Sequence, residues 1–275
     1  MHFDFHFTAV QTLWTLTFAG LLVLLVVLLG RDRASRFPWF TTGIVLLGLR
    51  MLASRLLYNK IAALTSTEIF LTLADTGMVV ALLVVVEMAR RAFGRASRVA
   101  WLAGTVALLA IAVTVVVVWG PWPARQTVFE HSTLATLRLM QLVAQKGELL
   151  ADLLTVELGL LVVFLGRRFN AGWRSHTQRV VLGLSTVSIA QVLLRVALGA
   201  LAKAPAPTTQ QQYLRLTGLQ DKLLNANSAV FLVAIVWWIV CLWIDEPQTA
   251  DATPVTADAA AAPPVDRAEH LPPEI

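Results

Sequence analysis

Seven long apolar runs dominate this sequence and limit what it can fold into. Each offers about 20 mostly apolar residues, the length that an α-helix needs to cross the hydrocarbon core of a bilayer. The runs cover residues 10–30, 38–58, 68–89, 99–119, 149–166, 179–202 and 223–244. They lack the two-residue alternation that is typical of membrane barrel strands. We therefore predict an all-α integral membrane protein folded as a seven-transmembrane-helix bundle.

The composition agrees with a membrane protein and argues against a nucleic-acid partner. Of the 275 residues, 57% are hydrophobic and only 14% are charged, and the mean hydropathy is +0.70. The basic residues lie in short clusters between the apolar runs, where membrane proteins carry their orientation signals. We expect this chain to contact the lipid bilayer and not to bind nucleic acid.

Alternate loops differ in basic charge, which predicts the orientation of the bundle. The first, third and fifth loops are basic, with Arg31, Arg33 and Arg36, then Arg90, Arg91, Arg95 and Arg98, then Arg167, Arg168 and Arg174. Because Lys and Arg stay on the cytoplasmic side, residues 1–9 are expected in the periplasm and the C-terminus in the cytoplasm. The compact loops favour the inner (cytoplasmic) membrane of a bacterium.

Two segments outside the runs carry predictions of their own. Residues 1–244 contain 21 basic and ten acidic side chains, whereas 245–275 contain one basic and seven acidic ones. The latter segment is rich in Ala and Pro, and we predict that it is a disordered acidic cytosolic tail. In the long fourth loop, residues 121–147 fit either an amphipathic helix at the membrane interface or an extension of the fifth span into the periplasm.

The first three spans and the last three show a weak parallel repeat. Leu-Leu-Gly-Arg at 28–31 matches Phe-Leu-Gly-Arg at 164–167, and Val-Leu-Leu-Gly-Leu at 45–49 matches Val-Val-Leu-Gly-Leu at 180–184. Ala-Asp-Thr-Gly at 74–77 falls opposite Ala-Asn-Ser-Ala at 226–229. This layout of three helices, one inverting helix and three more resembles the architecture of SWEET-type sugar facilitators and of rhodopsin-like bundles. The resemblance implies a binding site between the halves; chance similarity of Leu-, Val- and Gly-rich segments is the alternative.

Polar residues within the runs form one layer, and they are the candidate functional residues. Side chains that ionise at bilayer depth are costly, so they face the interior of a bundle or water. At 1.5 Å per residue, the charged ones lie roughly 6–13 Å below the predicted periplasmic boundary, and two asparagines of the last run are assigned to the same layer. The candidate ligand-binding residues are Arg50, Asp75, Asp152, Glu157, Arg195, Asn225 and Asn227. Arg55 and Glu87 are predicted to be boundary residues near the two membrane surfaces.

Two interpretations of this layer remain open. In the first, Arg50 pairs with Asp75 and Arg195 pairs with Glu157 or Asp152, and these pairs only fasten helices together. In the second, the layer lines a pocket that is open to the periplasm, where the two guanidinium groups hold a carboxylate or a phosphate. Ion pairs that open on binding would satisfy both interpretations.

Several chemistries are disfavoured by the residues that the spans contain. All five histidines lie outside the spans, so haem held between helices is not expected. The seventh run has no lysine for a retinal Schiff base, because Lys222 stands at its outer edge. A Walker A phosphate loop is missing as well. We therefore expect a protein that is not an enzyme and that holds no cofactor or metal.

The sequence leaves three kinds of function open. A small carrier, or a subunit of one, would bind a small anionic solute in the periplasmic half of the bundle. A receptor-like sensor would bind a similar ligand and signal through its basic cytosolic loops to a separate protein partner. An assembly or scaffold protein is the third. We expect the carrier first, although the halves of the spans near the cytoplasm offer few polar residues for a transport path.

Overall fold

A computed structural model describes residues 8–57, 60–93, 98–119, 122, 132–165, 175–203, 205 and 207–245. In these ranges the chain forms eight α-helices and is otherwise turns and short connections. The helices are α1 (Ala9–Gly30), α2 (Arg33–Arg36), α3 (Pro38–Leu56), α4 (Ala63–Phe93), α5 (Arg98–Val118), α6 (Thr133–Leu165), α7 (His176–Ala202) and α8 (Gln210–Trp243). Four of them, α1, α4, α7 and α8, are long and apolar enough to cross a membrane.

The predicted all-α class is confirmed, and each apolar run falls on a helix wherever the structure describes it. Helix α6 starts at Thr133, so the second half of the fourth loop extends the helix of the fifth run and forms no separate interfacial helix. Residues 133–146 contain no Gly or Pro and are rich in Leu, Ala and Gln, which favour continuation of a helix. The predicted N-terminal segment at 1–7, the acidic tail at 246–275 and loop residues 94–97, 123–131 and 166–174 lie outside the described residues.

Local sequence encodes several of the helix starts. Thr8 and Gln11 form a capping box at the start of α1, in which each side chain binds the other residue's backbone N–H at 3.3 Å. Ser175 and Thr209 accept backbone N–H groups at the starts of α7 and α8. Helix α3 has Pro38 in its first turn and no cap from its own N-cap side chain. Its cap comes from another helix, as described below.

Six helices form a closed ring in which α1, α3, α4, α6, α7 and α8 each pack on the next, and α8 returns to α1. Helix α5 packs on α6 from outside this ring. Lys146 of α6 fastens it, because its ammonium group donates to the carbonyl oxygens of Val116, at 3.2 Å, and Trp119 near the end of α5. The ring therefore takes three helices from before α5 and three from after it.

Glycines stand at five of the six contacts in the ring. At each, an added Cβ atom would touch or overlap a side chain of the neighbouring helix, so the missing side chain lets the two helices approach. These residues are Gly20 of α1 facing α8, Gly43 of α3 facing α4, Gly147 of α6 facing α4, Gly159 of α6 facing α7 and Gly183 of α7 facing α8. The ring is thus built by close approach of helix backbones.

One end of the bundle is marked by arginines close to the ends of its helices. We call the end where α1, α4 and α8 finish and α3 and α7 begin the basic end. There Arg31 and Arg33 bind the carboxylate of Asp245 at 3.4 and 3.0 Å, which joins the end of α1 to the end of α8. At the opposite end, the guanidinium of Arg55 lies 5.7 Å from the ring centroid of Trp14.

The packed core occupies the half of the ring nearer the basic end. Its largest fully buried side chains include Phe37, Phe40, Met88, Trp238 and Leu242, from α3, α4 and α8 and the turn before α3. By contrast, many Leu and Val side chains on the outer faces of the helices are exposed. An apolar outer surface of this kind is suited to contact with a lipid bilayer.

We expect Gly183→Ala to destabilise the protein because the new Cβ atom would overlap the indole ring of Trp238. Overpacking of this kind costs about 1–3 kcal/mol. The matched control is Gly199→Ala on the same helix, where no atom lies within 4 Å of the new methyl group. Thermal unfolding of the two purified variants in detergent should show a lower Tm for the first only. Equal melting temperatures would contradict the close α7–α8 contact.

Candidate functional site

A cavity of ≈ 430 Å³ lies inside the ring, bounded by α3, α4, α6 and α7 and by two side chains of α8. Its volume falls within the range of about 300–1,000 Å³ that is typical of small-molecule sites. Along α3, the lining residues run from Phe40 to Arg50, which corresponds to about 15 Å at the rise of an α-helix. The cavity thus begins above the packed core and extends towards the end opposite the basic end.

Aromatic side chains form the floor of the cavity next to the core. The rings of Phe40 and Phe231 meet the indole of Trp238 edge to face, with centroids 5.3 and 6.5 Å away. The indole N–H donates to the carbonyl oxygen of Val180 at 3.3 Å, and Trp238 is only 1% exposed. Because its polar atom is satisfied by the backbone, Trp238 presents an apolar surface to the cavity.

Glu87 of α4 lies behind this floor and caps α3. Its carboxylate accepts the backbone N–H of Phe40 at 3.1 Å, and Arg91 lies 3.4 Å from its other oxygen. A carboxylate at a helix N-terminus satisfies a free N–H group and the positive end of the helix dipole. Glu87 is buried because the start of α3 covers its carboxylate. The expectation that it lies near a membrane surface stays a prediction.

Four charged side chains gather at the opposite end of the cavity, and we call them the charged cluster: Arg50, Glu148, Asp152 and Arg195. One oxygen of Glu148 lies 3.5 Å from Arg50, and the other lies 3.3 Å from Arg195. Arg195 also lies 3.2 Å from Asp152 and donates to the carbonyl oxygen of Gln145 at 3.2 Å. Glu148 therefore bridges two guanidinium groups, one from each half of the ring.

Burial divides the charged cluster into an exposed part and a covered part. The side chains of Arg50 and Glu148 are 47% and 35% exposed, whereas those of Arg195 and Asp152 are 26% and 12% exposed. A solvated ion pair contributes little to stability, but a covered carboxylate depends on its partner. With two positive and two negative groups, the formal charge of the cluster is zero.

Helical spacing places these side chains on common faces. Glu148 and Asp152 are four residues apart on α6, and Gln191 and Arg195 are four apart on α7, so each pair projects from one face of its helix. Ser188, one turn before Gln191, also lines the cavity. The two helices are held together below this level by the hydroxyl of Ser185, which donates to the carbonyl oxygen of Thr155 at 2.9 Å.

The pairing that we predicted is partly observed. Arg195 contacts Asp152, which was one of its two expected partners. The expected pair of Arg50 with Asp75 is wrong, because Arg50 contacts Glu148. At 3.6 residues per turn, Asp75 lies roughly opposite the face of α4 that lines the cavity, which includes Leu73, Gly77 and Val84.

Arg195 meets the cavity only through Glu148 and Asp152, which line it, and the remaining predicted site residues do not line it. Glu157 lies roughly opposite the lining face of α6, and one of its carboxylate oxygens is buried without a hydrogen bond in the described part of the chain. The same holds for one side-chain oxygen each of Asp75 and Asn227. Asn227 is one turn before Phe231 on the same face of α8, and Asn225 points to a different side.

Sequence reasoning missed Glu148 and the role of Trp238. Glu148 precedes the fifth apolar run by one residue, so it counted as part of the loop, although its spacing of four from Asp152 was a signal. Trp238 stood out only as a tryptophan in the middle of a run. Its place on the floor follows from the contact with Phe40, which is 198 positions away in the chain.

The arrangement is able to bind an anionic group. The guanidinium of Arg50 lines one end of an otherwise mostly apolar cavity, and that of Arg195 lies next to this end, against the lining residues Glu148 and Asp152. Among the described residues, no group of three or more His, Cys, Asp or Glu side chains could hold a metal ion. Comparisons with known proteins give no match to a family model, a curated protein or a solved structure.

We expect Arg195→Gln to lower stability by about 1–3 kcal/mol, because it leaves the covered carboxylate of Asp152 without its counter-charge. Arg50→Gln, which removes the more exposed pair, should cost less than about 1 kcal/mol. Adding Asp152→Asn to Arg195→Gln should recover part of the loss. Melting temperatures of the wild-type protein, the two single variants and the double variant test this order of stabilities. Equal losses in both arginine variants, with no recovery in the double variant, would contradict it.

Proposed function

We propose that this chain is a non-enzymatic, multi-pass membrane protein that acts as a small carrier, or a carrier subunit, for a small anionic solute. Helices α1 and α3 to α8 would be its seven transmembrane helices, in the inner membrane of a bacterium. The cavity would be the binding site, open to the periplasm through the charged cluster. Arg50 and Arg195 would hold the solute.

The proposed orientation is supported by the arginines that cluster at the basic end, next to the basic loops of the sequence. The basic end carries Arg31, Arg33, Arg91 and Arg179, and positively charged residues are retained in the cytoplasm. The N-terminus of α1 and the charged cluster belong to the opposite end and would therefore face the periplasm. The tail after Asp245 would begin in the cytoplasm.

The position of the cavity carries the proposal. It lies between α3 and α4, from the first three-helix group of the ring, and α6 and α7, from the second. Transporters built from two such groups bind their substrate at the junction and open alternately by moving one group against the other. A cavity that is polar at one end and closed by packed aromatic rings at the other corresponds to one of the two states that such a cycle needs.

A sensor is the second candidate, favoured by the thickness of the seal below the cavity. Between the floor and the basic end, most buried side chains are apolar; the buried polar ones include His176, Gln178 and Glu87, whose carboxylate is tied to the start of α3. A ligand that shifted α7 against α8 would move the indole of Trp238 and the basic end with it. A separate protein partner could then read the change at the basic loops.

Cysteine labelling distinguishes the two functions. In a Cys241→Ser background, Gln191→Cys places a thiol near the charged cluster and Leu184→Cys places one near the floor, both in the cavity. A membrane-impermeant maleimide should label the first from the periplasmic side. In a carrier, Leu184→Cys should also become labelled from the cytoplasmic side, and a bound solute should change the rate of this labelling.

The control is Leu193→Cys, which lies on the exposed outer face of α7 and should stay unlabelled in lipid. Labelling of Gln191→Cys from the cytoplasmic side alone would reverse the proposed orientation. If Leu184→Cys never reacts from the cytoplasmic side, with or without solute, the carrier proposal fails and the sensor is favoured.

A further inference from the structure

The cavity has far more apolar surface than a small hydrophilic anion would use. We propose that its ligand is an amphipathic carboxylate with a single hydrocarbon chain, whose head group replaces Glu148 between Arg50 and Arg195. This inference rests on the proposed function, since it names the class of solute for the same cavity. It does not depend on whether the protein carries the solute or senses it.

The body of the cavity fits a hydrocarbon chain. Between the charged cluster and the floor its walls are formed by aliphatic and aromatic side chains from four helices, among them Ile44, Leu47, Val84, Leu184 and Phe231. The hydroxyl of Thr155 already donates to the carbonyl oxygen of Ala151, and Ser188 stands near the charged cluster. The deep part of the cavity therefore offers few free polar atoms. Water in this space is poorly held, and a chain that displaces it gains the hydrophobic free energy of transfer.

The head-group site is defined by the present position of Glu148. Its two carboxylate oxygens each face one guanidinium group, at 3.5 and 3.3 Å, which is the arrangement that any carboxylate would take there. Glu148 is about one-third exposed, so its side chain can turn out to solvent when another carboxylate enters. This exchange keeps the charge between the two arginines balanced. Asp152, which is more deeply covered, would stay with Arg195.

The dimensions favour one chain of moderate length. The distance of about 15 Å from the level of Arg50 to that of Phe40 is comparable to the overall length of extended decanoate, with its carboxylate and terminal methyl group included, and octanoate is two methylene groups shorter. A volume of ≈ 430 Å³ accommodates one such chain, but not the two long chains of a phospholipid. The aromatic floor at Phe40 and Trp238 sets the limit, because it is packed against the core.

A chain-length series tests the fit. Binding of butanoate to tetradecanoate is measured on the full-length protein in lipid nanodiscs, with empty nanodiscs as the baseline and free aqueous concentrations as the scale. Affinity should rise about fourfold for each added methylene group, until the chain reaches the floor. Beyond decanoate it should level off or fall. Partition into the lipid alone would continue to rise with chain length.

The adjacent residues Trp237 and Trp238 report where the end of the ligand's hydrocarbon chain lies. Octanoate that carries bromine on its last carbon should quench the fluorescence of Trp238, which lines the floor. The quenching should be lost in Trp238→Phe and kept in Trp237→Phe, whose side chain is 45% exposed on the outer face. Equal loss in both variants, or in neither, would place the probe outside the cavity and overturn the proposal.

Glu148→Gln tests the exchange of carboxylates. Removing the competing charge should strengthen octanoate binding several-fold, whereas Arg50→Gln, expected to fold normally, should weaken it. Octanol and octylamine, which lack the carboxylate, should bind at least tenfold more weakly than octanoate. Weaker octanoate binding to Glu148→Gln, or equal binding of the three eight-carbon probes, would overturn the exchange.

The same panel separates this inference from the proposed function. Tight binding of succinate or phosphate, with no gain from longer chains, would overturn the amphipathic ligand and leave an anion carrier in place. If no anion of any length binds, and Arg50→Gln changes nothing but stability, both proposals fail and the charged cluster only fastens helices.

Discussion

Close approach of helix backbones is the constraint on which the rest of this structure depends. Helices that pack in lipid gain little from burying apolar side chains, because the lipid is as apolar as the partner. Glycines at five of the six ring contacts remove the side chains that would keep the helices apart. The contacts α3–α4, α4–α6 and α6–α7, between the helices that enclose the cavity, each contain such a small residue.

This constraint acts unevenly along the bundle. Near the basic end, Gly183 admits the indole of Trp238, and Phe37, Phe40 and Met88 fill the centre completely. Towards the opposite end, the helices enclose the cavity. One half of the ring is therefore a packed layer, and the other half holds the cavity.

The charged cluster joins the two halves of the ring at the mouth of the cavity. Glu148 and Asp152 come from α6, whereas Arg50 comes from α3 and Arg195 from α7, so the cluster spans three helices. Its charges cancel, which lowers the cost of holding ionised groups at this depth. Its most exposed carboxylate is also the one that bridges the arginines. The group that is easiest to displace thus occupies the position that a ligand's head group would take.

The helices and the level of each polar residue along them were readable from the sequence, because both depend on counting residues along a regular helix. The direction in which each side chain points around its helix was not, since it depends on which helices are neighbours. Asp75 and Glu157 lie close to the predicted level of Arg50 and Arg195, yet they face away from the cavity, and Glu148 enters it from beyond the predicted end of its run. Local hydropathy and spacing thus determined the all-α class, with helices apolar enough for a membrane, and the level of the charges along their helices. Only the packing of helices distant in the chain decided that Arg50, Glu148, Asp152 and Arg195 meet above a floor formed by Phe40 and Trp238.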